Sequence, residues 1–97
     1  MIYKIVNYSH PLSKIAKAQI TQELGNFEEV IVPVDLDLDA DLWKQVDQLV
    51  DRSADYVIPP ALGVAAYMTG MLNSHAGIIY LKRDGSIPPN WMLGGII

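Results

Sequence analysis

The sequence predicts an α/β domain: a mostly parallel sheet with helices on both faces. Three observations predict it. Short apolar runs of strand length alternate with longer segments whose apolar residues recur at helical spacing. Asp55–Ile58 is a brief apolar run, as expected of a central parallel strand. From Tyr56 to Leu81 there is no Asp, Glu, Lys or Arg. Pro59, Pro60, Gly63, Gly70, Asn73, Ser74 and His75 interrupt that stretch, so it reads as a buried strand and a buried helix rather than a membrane span.

Taken in order, Ile2–Val6 is the first strand and Asn7–Ser13 the loop after it, with Pro11 forbidding a longer strand. Ser13 is placed to cap a helix over Lys14–Leu24, in which Ala16, Ile20 and Leu24 share a face and Gly25 supplies the stop. Val30–Val34 is the second strand. Pro33 cannot donate a ladder hydrogen bond, which places this strand at an edge. Asp39 or Asp41 caps a second helix with Leu42, Val46, Leu49 and Val50 on its apolar stripe. Pro59-Pro60 ends the third strand, and Ala61–Leu72 forms a third helix, uncharged all round. Gly63, Ala65, Ala66 and Gly70 would let another backbone approach that helix closely, which makes it the expected dimer contact. Ile78–Leu81 is the fourth strand, Lys82-Arg83-Asp84-Gly85 a charged turn, and Trp91–Ile97 a possible extra strand weakened by Gly94-Gly95. The result is a single Rossmann-like three-layer domain over residues 1–97 with strand order 2-1-3-4. In such sheets ligands bind beyond the strand C-termini, near the switch point between strands one and three.

Composition narrows the function classes. The chain has 97 residues, 51% hydrophobic and 19% charged, with no cysteine and a net charge of −4. Such an apolar small chain is expected to bury surface against a second copy. The charge argues against a broad surface for duplex nucleic acid. It leaves open a small anion held by backbone N–H groups and helix N-termini. Without cysteine there is neither disulfide nor thiolate metal site. No leader peptide, metal or cofactor is expected, and the cytoplasm is the expected location.

The loop Asn7-Tyr8-Ser9-His10-Pro11-Leu12 gathers an amide, a phenol, a hydroxyl and an imidazole. It is suited to hydrogen bonding a polar ligand, with Tyr8 available to stack on a base. Pro59, Pro60, Ala61, Leu62 and Gly63 leave the third strand beside it, and Arg83 lies at the next strand end. For Asn7–Leu12, composition alone favours an ordinary solvated loop, and the location beside the switch point brings the two readings level. His75 reads as a helix C-terminal cap. The alternating Asp35, Asp37, Asp39 and Asp41 read as a solvated, capping loop rather than a magnesium site. No glycine-rich phosphate fingerprint, zinc spacing or serine-hydrolase motif is present.

The run Asn7–Leu12 after the first strand, the Pro59–Leu62 segment after the third, the small-residue helix behind it and Arg83 after the fourth resemble small type III CRISPR-associated proteins grouped with the ring nucleases. The likeness follows the order of elements over most of the chain and is specific only in the first two segments. It implies a homodimer that takes up cyclic tetra-adenylate, the second messenger that activates effector nucleases, as part of antiviral defence. In that group an Asn commonly precedes the Pro-Pro pair and a Gly follows it. Here Ile58 and Ala61 stand at those positions. The loss of a polar contact and of a permissive backbone position counts against cleavage more than against binding.

The resemblance implies one of two activities: sequestration of the messenger as a sponge, or slow cleavage without metal, in which a ribose 2′-OH attacks the neighbouring phosphate to leave a 2′,3′-cyclic phosphate. For cleavage, His10 is the candidate general acid or base and Ser9 a phosphate-holding hydroxyl. Arg83 would add a bidentate cation. Two other classes compete: an interaction subunit that dimerises through residues 61–72 with empty loops, and a sensor of another nucleotide.

Overall fold

The computed structural model describes residues 2–97. Along the chain run β1 (Tyr3–Asn7), α1 (Lys14–Leu24), β2 (Phe27–Ile31), α2 (Leu42–Leu49), β3 (Tyr56–Ile58), α3 (Gly63–Leu72), β4 (Gly77–Arg83) and β5 (Trp91–Ile96). The strands form one sheet in the order β2-β1-β3-β4-β5. β1 to β4 are parallel, and β5 adds antiparallel to β4. The chain is thus a Rossmann-like α/β domain with the expected strand order and the extra C-terminal strand.

β1 is buried on both faces, and this divides the core in two. Ile5 points to one side and packs with Leu12, Ala16, Ile20, Ile58 and Ile79, so α1 covers that face. Val6 points to the other and packs with Tyr8, Ala54 and Val57. α2 and α3 lie against each other on that second side, where the turn after α2 and Asn73 at the end of α3 both reach Tyr8.

Local chemistry sets the helix ends. Ser13 Oγ accepts the Ala16 N–H at 3.1 Å and also donates to the Trp91 carbonyl at 2.9 Å, so the cap of α1 is tied to the start of β5. Gly25 takes φ +84° at the other end, and its N–H reaches the Thr21 carbonyl. Asp41 caps α2 through the Lys44 N–H. Leu62 is extended at the start of α3 and offers no side-chain cap, so that helix begins two residues later than its apolar run.

β2 also begins and ends earlier than its hydrophobicity implies. It pairs with β1 from Tyr3↔Phe27 to Asn7↔Ile31. The Val32 N–H still donates to the Asn7 carbonyl, after which Pro33 leaves the ladder. β2 is an edge strand, as expected, but Pro33 lies beyond it rather than within it. The Gly94-Gly95 pair does not break β5. The Tyr80 side chain lies over both glycines, so close that an added Cβ would meet its ring at 2.7 Å from Gly94 and its hydroxyl at 2.6 Å from Gly95.

Candidate functional site

Because β1, β2 and β3 run parallel, their C-terminal loops emerge at one end of the sheet. There they enclose an open cleft of about 320 Å³ at the β1/β3 switch point. Tyr8, Ser9 and His10 line it from β1, Pro33, Val34 and Leu36 from β2, and Pro60, Ala61 and Leu62 from β3. Six of the ten residues singled out from sequence therefore line a common cleft: Tyr8, Ser9, His10, Pro60, Ala61 and Leu62. Asn7, Pro59, Gly63 and Arg83 do not line it.

Two of the loop's expected ligand contacts serve the protein instead. Asn7 is fully buried. Its Oδ1 accepts the Ser9 N–H at 2.8 Å, and its Nδ2 donates to the His10 carbonyl at 2.7 Å and to Glu29 at 2.8 Å. This is an Asx-type turn, and it leaves the amide no free group to offer a ligand. Tyr8 is only 3% exposed. Its ring runs down into the second core and its hydroxyl accepts the Asp51 N–H at 3.1 Å. The expected stacking role for Tyr8 is therefore corrected: only part of its ring forms cleft wall. Ser9 and the exposed His10 carry the loop's remaining polar chemistry.

Across the cleft, Leu62 is both a wall residue and the first residue of α3's cap. Leu62 gives the first-turn N–H groups of α3 no side-chain cap, and no acidic residue sits in that turn. Those N–H groups constitute the positive end of the helix. No Lys or Arg lines the cleft. Any anion there would depend on backbone N–H groups, Ser9 and His10.

Arg83 sits elsewhere. It pairs with Trp91 in the β4–β5 ladder, and its guanidinium lies 5.4 Å from that ring's centroid. Asp84 organises the turn that follows. Its carboxyl is held well below the usual range, first by the Ser86 hydroxyl and then by the Ser86 N–H, with Asn90 adding to them. His75 does not cap α3; its Nε2 pairs with the Arg52 carbonyl at 2.7 Å. In the acidic loop, Asp37 accepts the Asp39 N–H and is braced by Gln45. No cluster of metal-ligating side chains occurs among the described residues, and no helix among them is long and apolar enough to cross a membrane.

The β2 contribution was missed in the sequence because Val32-Pro33-Val34 reads as strand interior. Glu29 was missed too, although its phase was a signal: it alternates with Phe27 and Ile31 and so shares their face. No family model, curated protein or solved structure matches this chain.

Proposed function

We propose that this protein binds cyclic tetra-adenylate at the strand-end cleft of a homodimer and lowers its free level in type III CRISPR signalling. The observation that carries the reading is the meeting of Ser9, His10 and Leu62, the N-cap residue of α3, at one cleft. A phosphate there would receive a hydroxyl from Ser9 and face the His10 imidazole, with the positive end of α3 beyond Leu62 favouring its charge. The resemblance of Asn7–Leu12 to the ring-nuclease group supplies the ligand class. The messenger is two-fold symmetric, so two copies of one cleft suit its two halves.

Two features favour holding over cutting. The cleft lacks a cation to stabilise charge on a phosphoryl oxygen during in-line attack. Ile58 is buried and brings no polar group to the end of β3. If the ring is opened, His10 moves the proton and the product ends in a 2′,3′-cyclic phosphate. The test is incubation of purified protein with labelled cyclic tetra-adenylate, without metal, followed by denaturing chromatography and a native gel. A shifted band with intact ligand supports sequestration, and linear product supports cleavage. Neither band nor product would remove the reading.

A second reading, an interaction subunit, is favoured by α3 itself. Val64, Tyr67 and Met71 are 42%, 65% and 54% exposed on a helix without a charged residue. Light scattering tests it: a dimer that Tyr67→Glu dissociates, and that no nucleotide stabilises against heat, would favour this reading.

A further inference from the structure

Glu28 and Glu29 are neighbours on an edge strand, and their side chains leave on opposite faces. Glu28 is exposed. The Glu29 side chain is only 9% exposed. A carboxylate so far removed from water needs partners, and a hydrophobic residue of similar size would often give equal or greater stability. The partners of Glu29 all belong to β1, the loop after it, and α1. Oε2 accepts from Asn7 Nδ2 at 2.8 Å and from the Leu12 N–H at 3.0 Å. Oε1 faces Lys17 Nζ at 3.8 Å. Asn7, in turn, holds the Ser9 N–H and the His10 carbonyl. One carboxylate therefore fixes both ends of the segment that points Ser9 and His10 into the cleft, and its bonds to Asn7 and Leu12 are charge-assisted.

We propose that Glu29 is the positioning residue of this site: it acts through Asn7 and Leu12 to set Ser9 and His10, and does not touch ligand itself. Its importance for ligand rests on the cyclic tetra-adenylate reading. Its hold on the loop does not.

The experiment separates the two. Amide hydrogen exchange is measured by NMR on the ligand-free protein for wild type, Glu29→Ala, Glu29→Gln and Lys17→Met, and affinity for cyclic tetra-adenylate is then measured by calorimetry. Loss of a hydrogen bond to a charged group corresponds to about tenfold or more. In Glu29→Ala, exchange at Ser9 and Leu12 should therefore rise by about that factor, relative to the buried strand amides of Ile5 and Ile79. Glu29→Gln keeps an acceptor and should fall between, and it carries the test if the alanine variant does not fold. Lys17→Met removes the ionic partner without touching the loop bonds and should leave Ser9 exchange unchanged. Affinity should fall in the same order as loop exchange rises. Unchanged exchange at Ser9 in Glu29→Ala and Glu29→Gln overturns the proposal, as does a freed loop with wild-type affinity. If wild type itself does not bind, the ligand reading falls, and loop exchange alone decides the role of Glu29.

Discussion

The Tyr8 hydroxyl accepts the Asp51 backbone N–H at 3.1 Å, joining the end of β1 to the turn after α2. Asn73 Nδ2 approaches the same oxygen at 3.5 Å. The phenol is thus a strut through the second core. Tyr8→Phe keeps the ring but leaves the Asp51 N–H unpaired, a cost of about 1–3 kcal/mol. For a domain of this size that is roughly 4–8 °C of Tm per kcal/mol. Thermal unfolding should show this drop with ligand affinity unchanged; the opposite pattern would return Tyr8 to the binding surface.

His10 behaves differently because its side chain is exposed and only its backbone carbonyl is used by the loop. His10→Ala should shift stability by no more than about 0.5 kcal/mol. If the protein cleaves its ligand, the single-turnover rate should fall about 10²-fold or more while affinity is kept. If it only sequesters, any change should appear in affinity alone.

At the opposite end of the sheet, Lys4 Nζ lies 2.6 Å from Asp51 Oδ2. The Asp51 carboxyl is lowered from 3.8 to about 2, chiefly by the Lys4 hydrogen bond and then by the Ser53 hydroxyl and N–H. A depressed carboxyl stabilises the fold above its unfolded value and loses that contribution as pH falls through its folded one. Stability should therefore decline from about pH 4 to about pH 2, and Asp84, also lowered, adds in the same direction. Asp51→Asn should flatten the Asp51 share of this acid decline. At neutral pH it should cost about 1 kcal/mol or less, because the pair is partly solvated. The Lys4 ammonium, raised above 10.5 mainly by Asp51, contributes below that value and is lost in strong base. Urea unfolding across pH checks both arms.

Two glycines make a stability comparison. A Cβ at Gly77 would meet the Tyr56 ring at 2.6 Å, and that ring is held edge-on against Tyr3 with centroids 5.5 Å apart. A Cβ at Gly95 would meet the far end of Tyr80, which is 47% exposed and free to swing outward. Gly77→Ala should cost about 1–3 kcal/mol as overpacking, and Gly95→Ala distinctly less. Equal losses in denaturant unfolding would contradict this account.

Much of the fold was legible because it rests on periodicity and caps. Ser13, Gly25 and Asp41 act within a few residues of their own position, and the alternation of strands and helices leaves few topologies open. The sequence also placed Ser9, His10 and Pro60–Leu62 at one end of the sheet, since parallel strands bring their following loops together. What it could not decide was direction. Asn7 and Tyr8 are adjacent in the chain yet point to opposite faces of the sheet, one into a turn and the other into the core, and their polarity alone made both look like ligand contacts. Arg83 looked like a phosphate ligand until the antiparallel pairing of β5 set Trp91 beside it. Glu29 lay outside the strand that hydrophobicity marked at Val30–Val34, and only the β1–β2 register set it beneath the loop. Local chemistry determined the elements and the loop cluster. Long-range register decided which polar groups bind one another and which remain free, because a buried donor or acceptor must first be satisfied inside the protein.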